Sequence, residues 1–502
     1  MYQQKRLYQY RFLARIVIEA NTPLSVGSGD KDIITNQSII RDVNGLPFIP
    51  GTAIAGILRH AMRESDAKQI FGFQETPEGR RKRKEKYLRD GYKESDFQEN
   101  IDEGSQIIFS SAHPVINKKG EVVEGLLSNS FDDKSLRHFM YLPIRQHVRI
   151  NEKGASADEG KFDDEVVYKG TRFCFEVEML SETEDKKEVF KDVLSELASS
   201  TIQIGSGTRS GLGEIKIIPP LCQFAYLNLK IKNHRDTYIQ KSSSLNDLFW
   251  NNPLFIQNEE LTKKEEGWTT YQLELTPEDF FLFGSGFGND DANMIPVKES
   301  ILDWSGEGET PYLKNDFILI PGSSIKGTLS HRVAYHYNKL NRIFTDVITK
   351  GLEKEEIPIK ISEHVGDKNK AVRTLFGYTT QNDNDAVRGN ILISDVIQGK
   401  KHEQTKTLNH VSIDRFTGGA IEGALFTEEV MYGKDDTYKL TFKVKYEALK
   451  DNDVKQAFEE ALFDITEGML SLGGGVNRGH GCFTGKIIEN GYKEIKRNEK
   501  SK

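Results

Sequence analysis

The sequence predicts an α+β protein built by tandem duplication of one domain. Blocks of the first half recur, in order and at near-constant spacing, in the second. Each half mixes β-branched and aromatic runs with helical segments. The composition suits real cores: of 502 residues, 37% are hydrophobic and 29% charged, with 28 Phe and 18 Tyr. Length alone would suggest about three domains or two large ones. The aromatic content excludes a disordered chain.

Each element has its reason. Phe12–Ala20 alternates as a strand, and LSVGSGDKDIITNQSIIRDVNGLPFIPGTAIAGILRHAMRE follows over 24–64. Its counterpart is FLFGSGFGNDDANMIPVKES from Phe281, then FILIPGSSIKGTLSHRV from Phe317. Both read apolar strand, GSG, acidic loop with an Asn, short strand, IPG[TS], then a helix with a basic first half. Ser or Thr after Pro-Gly suits a helix N-terminus. Helices are thus expected at Gly51–Arg63 and Ser324–Lys339, with others at Lys187–Ser199 and Asp453–Ser471. Ile70-Phe71-Gly72-Phe73 answers Leu375-Phe376-Gly377-Tyr378, and the strand Gln106–Ser111 answers Asn390–Asp395. HVRINEKGASADEGKFDDEV from His147 answers HVSIDRFTGGAIEGALFTEEV from His410, each an extended hairpin projecting from the sheet. IGSGTRSGLGEIKI from Ile204 answers LGGGVNRGHGCFTGKI from Leu472. YQLELT and YKLTFKVKY supply further strands. Two helices per half and an antiparallel sheet covered on one face give a βαββαβ, ferredoxin-like core in each.

The domains are read as 1–220 and 266–490, joined by an arm and linker over 221–265 and followed by a polar tail, 491–502. Lys plus Arg is 68 against 76 Asp plus Glu, a formal charge of −8. That excludes a uniformly basic nucleic-acid coat but not a basic groove on an acidic body. Cys174, Cys222 and Cys482 lie far apart, which fits a reducing cytoplasm and predicts no structural zinc. Neither a cleavable leader nor an apolar run of membrane-span length is visible.

The glycine clusters, Gly205/Gly207/Gly211/Gly213 with Arg209 and Gly473/Gly475/Gly479/Gly481 with Arg478, permit close approach of a ligand backbone and can cradle phosphate. Taken singly, either is a tight turn. They are neither Walker loops nor a Rossmann fingerprint. Arg59, His60 and Arg63, then Lys326, His331 and Arg332, place cations on the IPG helices, whose N-termini favour anions. Ser323-Ser324-Ile325-Lys326 fits an SxxK signature, but the first copy lacks the lysine and no SDN partner occurs. Asp30 and Asp32, with Asp290 and Asp291, stand in the acidic loops, where carboxylates could hold Mg²⁺ near an RNA backbone or simply be solvated. His147 with Arg149 and His410 with Arg415 open the two hairpins. Arg80-Arg81-Lys82-Arg83-Lys84 reads as disordered or as an RNA-contacting arm.

GSG, [IV]xRDxxGxPxIPG[ST]xxxGxLR, DRFTGGAxEGALFxEE and GGGxxRGxG together resemble the repeat-associated mysterious protein (RAMP) superfamily. They are carried here by Gly27–Arg59, Asp414–Glu429 and Gly473–Gly481. More narrowly, they resemble backbone subunits of type III CRISPR effector complexes, and two domains on one chain are similar to the fused subunits of type III-D systems. The resemblance implies two modified RNA-recognition folds gripping a guide RNA through its phosphates, and thumb hairpins that flip bases between guide and target RNA. Partners would be guide, target and other effector subunits, in cytoplasmic antiviral defence. Catalytic members cut target with an Asp and a divalent metal. That Asp lies five residues before the Arg or Lys ending the short strand, and here those positions are Asn36, before Arg41, and Asn293, before Lys298. An amide is no base and a poorer Mg²⁺ ligand. A guide-holding scaffold is therefore expected. The alternative is an RNA-guided, Mg²⁺-dependent endoribonuclease using Asp30, Asp32, Asp290 or Asp291.

Overall fold

The computed structural model describes residues 7–29, 37–99, 101–128, 136–151, 154–262, 265–378, 386–399, 405–433 and 436–497, with backbone alone at 158 and 159. In the first half the central strand is Tyr10–Ala20. It pairs antiparallel with Arg172–Ser181 on one side, from Tyr10↔Ser181 to Glu19↔Arg172, and with Gln223–Asn228 and Ile215–Ile217 on the other. Ile107–Phe109 adds the edge beyond Arg172–Ser181. The second half repeats this order around Trp268–Pro277, flanked by Tyr438–Lys445 and Phe483–Glu489 with Ile391–Ile393 outside. Two helices cross each sheet: Gly51–Ala61 and Lys186–Ser195, then Gly322–Leu340 and Asn452–Thr466. Both halves are therefore α+β with the ferredoxin-like strand order.

Alternation explains the cores. Phe12, Ala14, Ile16 and Ile18 pack beneath the first pair of helices with Leu58, Phe190 and Leu194. Tyr271, Leu273 and Leu275 do the same in the second half against Leu329, Val333, Phe458 and Leu462. The first sheet is covered on its other face as well, contrary to the expectation of one covered face. Leu13 joins Phe249, Trp250 and Phe255, and Val17 joins Leu245. Buried Arg15 is satisfied there by the carbonyls of Leu245, Leu221 and Gly120. The 221–265 segment thus contributes a strand and an outer layer to the first half.

Two further differences have local causes. The Arg80–Lys84 run is not disordered but the middle of a helix, Pro77–Arg89, with Pro at its start and the Thr76 hydroxyl accepting from the Gly79 amide. Glu75 holds Arg80 and Arg83, Glu78 holds Lys82, and Glu94 and Glu99 hold Lys84. The tail also begins as structure: Lys493–Ile495 pairs with Phe483–Glu489. Arg497 reaches back to Asp464 and Glu467. The two hairpins are present as Ile144–Ile150 with Ser156–Glu165 and Thr405–His410 with Phe426–Met431. Among the described residues no helix is long and apolar enough to cross a membrane.

Candidate nucleic-acid interface

The two glycine-rich loops are built alike. Gly205 and Gly473 have φ of +89° and +91°, and a Cβ on either would lie 2.2 Å from the Ser25 carbonyl or 2.4 Å from that of Leu282. The next amide donates to that same carbonyl, Ser206 to Ser25 and Gly474 to Leu282, both at 2.7 Å. Each loop is closed by an amide-to-carbonyl bond of 2.8 Å, Ile204 to Gly213 and Leu472 to Gly481. Glycine is required here because the loop lies flat on the GSG strand of its own half.

The loops differ in what lies above them. A Cβ at Gly211 would fall 1.9 Å from Asp395 Oδ1, whereas one at Gly479 meets nothing within 4 Å. The first loop is capped by the second half. Arg145, at the root of the first hairpin, reaches Asp395 at 2.5 Å and both Glu299 oxygens at 3.1 Å, all three side chains being buried. The other Asp395 oxygen accepts from the Gly322 amide at 2.7 Å, at the start of the second IPG helix. Leu302 enters the first half's core, and Trp304 donates to the Gly170 carbonyl at 2.7 Å beneath the Arg172 guanidinium.

This seam brings cations of both halves together. Arg209, from the first loop, donates to the Gly389 carbonyl at 3.1 Å. Burial and neighbouring Arg388 push its guanidinium down to about 10. Lys326, on the second IPG helix, is pushed down by burial and by Arg209. Lys445 is lowered by burial and by Arg209 and Arg388. Among the described residues none of these four pairs with a carboxylate. Cations crowded together with no carboxylate among the described residues paired to them make a local positive field that a polyanion would neutralise.

Of the predicted residues, Arg209 and Lys326 meet in this seam. Arg59, His60 and Arg63 are exposed on and just beyond the first IPG helix, with His60 Nδ1 2.7 Å from the Gly56 carbonyl. His331 is half-buried on the second. Arg332 turns to buried Asp464, which also meets His336 at 2.7 Å and Arg497 at 2.5 Å. Burial would raise that carboxyl, but the hydrogen bonds from His336, Arg497 and Arg332 hold it well below the ordinary carboxylate range. His147 stacks on Phe162 at 4.9 Å with Asp164 3.7 Å away, and Arg149 is exposed farther out. His410 stacks on Phe426 at 4.8 Å and meets fully buried Glu428 at 2.8 Å. Arg478 binds the other Glu428 oxygen at 2.5 Å, so it ties the second glycine loop to the second hairpin. Arg415 is exposed at the hairpin tip beside Phe416, itself 98% exposed.

Asp30, Asp32 and Asn36 lie outside the described residues. Asp290 and Asp291 are exposed in the second acidic loop. Asn293 Oδ1 accepts from the Thr427 amide at 2.8 Å and from its hydroxyl at 3.1 Å. Gln37 bridges Asp164 as Met294 bridges Glu428, so the two loops share one register on their hairpins. Among the described residues no group of three or more His, Cys, Asp or Glu is gathered so as to hold a metal.

Sequence reasoning missed Arg388 and Lys445. Neither belongs to a recurring block, and only the pairing of Ile391–Ile393 with Tyr438–Lys445 sets them beside Arg209. No curated protein matches the chain. The RAMP superfamily model matches residues 17–216 and 304–484, one stretch in each half and well over half of the length. With the ferredoxin-like order repeated and a glycine-rich loop and hairpin in each half, the chain belongs to the RAMP superfamily.

Proposed function

We propose that this chain is a tandem backbone subunit of a type III, D-like CRISPR ribonucleoprotein, holding guide RNA by its phosphates and presenting target RNA along its two hairpins. The observation that carries the reading is the seam of four cations drawn from both halves, Arg209, Lys326, Arg388 and Lys445, which pair with no carboxylate among the described residues. A phosphate chain threading the seam neutralises them and touches no base edge, so grip is independent of sequence and base pairing supplies specificity. The hairpins suit the second task, with Phe416, Leu425 and Val148 exposed where apolar side chains can enter a base stack.

In the second half, holding is favoured over cutting. Asn293 offers an amide already bound to Thr427, which orders the acidic loop against the hairpin but supplies no base. An assembled complex with Asp290 and Asp291 changed to Ala should give the same target-RNA products in Mg²⁺ as the wild type. Loss of a cut would instead assign cleavage to that loop.

The seam is tested by RNA affinity measured against salt. Arg209→Ala, Lys326→Ala, Arg388→Ala and Lys445→Ala should each weaken binding similarly for unrelated sequences. Each should reduce the slope of log K on log salt by about 0.7–1. Arg332→Ala, whose partner is Asp464, should leave the slope alone. Unchanged slopes in all four seam variants overturn the reading.

A further inference from the structure

Beside the seam lies a cleft of about 660 Å³ at the start of the strand Trp268–Pro277. Its walls are Trp268, Tyr446 in the turn after Tyr438–Lys445, and the head of the helix Asn452–Thr466. Its volume falls within the roughly 300–1,000 Å³ of small-ligand sites. Trp268 belongs to no core cluster, and Tyr446 is 56% exposed.

The cleft is joined to the cations. Trp268 pairs with Lys445 across the sheet, and the Lys445 ammonium lies 5.7 Å from the Trp268 ring centre. The Lys445 amide donates to Asn390, the residue after the Gly389 carbonyl that Arg209 holds. At the far side the Lys450 ammonium, paired with Glu447 at 2.7 Å, lies 5.8 Å from the Tyr446 ring. The carboxylate on the wall, Glu489, is paired with Lys493 at 2.9 Å. An aromatic step flanked by ammonium groups and continuous with a phosphate track has the make-up of a single-strand binding platform. Bases stack on the rings, the backbone follows the cations, and sequence matters little because every base has a π-face.

We infer that the Trp268–Tyr446 cleft takes an unpaired nucleotide of the RNA strand running off the seam, a base-stacking subsite that the cation cluster alone does not provide. This rests on the seam holding RNA, and the test separates the two. The full chain is titrated with a fluorescein-labelled, mixed-sequence single-stranded RNA and with an abasic oligomer of equal length. Trp268→Ala and Tyr446→Ala should weaken binding of the base-bearing RNA roughly 5- to 100-fold. They should change binding of the abasic oligomer by less than about twofold and leave the salt slope alone. Trp268→Phe, which keeps a ring, should recover most of the loss. Tyr446 is largely exposed, so its substitution keeps the test valid should Trp268→Ala fail to fold. Equal loss on both oligomers, or loss on neither, overturns the inference while leaving the seam standing. If the seam variants keep the wild-type slope, it is the seam reading that fails. A cleft whose variants lose a protein neighbour while binding RNA normally is a protein-docking face, which also overturns the inference.

Discussion

Gly211 and Gly479 occupy equivalent places in the two copies, yet substitution should separate them. Gly211→Ala sets a methyl against Asp395 at φ +110° and should cost roughly 2–4 kcal/mol in denaturant unfolding. Gly479→Ala meets open space at φ +85° and should cost about 1–2 kcal/mol, from backbone strain alone. Equal costs would mean that the first loop is not capped by the second half. His138 makes a pH prediction. Its Nε2 is buried without a partner, and burial pushes the imidazole down to about 4. Between the unfolded value near 6.5 and about 4, the unfolded chain binds a proton that the folded chain lacks. Stability must therefore fall as pH drops through that window, and His138→Gln should flatten this part of a curve of unfolding midpoint against pH. At this scale the glycines were legible, because a positive φ is a local demand. Arg478 was not: it reads as the twin of Arg209, but it stands one place farther along its loop and points to Glu428 instead of the seam.

The junction between the halves depends on elements that no single motif announces. The first hairpin's root, the strand Lys298–Asp303 and the start of the helix Gly322–Leu340 converge on Arg145, Glu299 and Asp395. Arg145→Ala would leave two buried carboxylates uncompensated, a loss of about 3–5 kcal/mol. The halves should then melt in two calorimetric transitions where the wild type shows one; a single, unshifted transition would show that the triad does not couple them. Pro77–Arg89 shows how an element can be half-read. Its cations suggested a disordered stretch or an RNA-contacting arm, but the Thr-Pro start and acids at helical spacing, Glu78 with Lys82 and Arg81 with Glu85, make it a self-paired helix. The outer layer over the first sheet was harder to read, since Leu245, Phe249, Trp250 and Phe255 are scattered through a polar stretch and acquire meaning only against Leu13 and Val17.

At the level of the whole chain, duplication made the architecture readable, since each block was seen twice and confirmed its partner. It could not show how the copies meet. Arg209 and Gly389, or Arg145 and Asp395, are 180 and 250 residues apart, and their contact follows from packing one half on the other. That packing gives an acidic chain of formal charge −8 a local basic seam, so net charge does not report the local field. We propose that RNA lies in this seam. Ultraviolet crosslinking of bound single-stranded RNA to the full chain, with the crosslinked peptides identified by mass spectrometry, tests it most directly. Crosslinks in the segments around Arg209, Lys326, Arg388 and Lys445 are the predicted result. Crosslinks confined to the Pro77–Arg89 helix or to the face covered by Phe249 and Trp250 would contradict it.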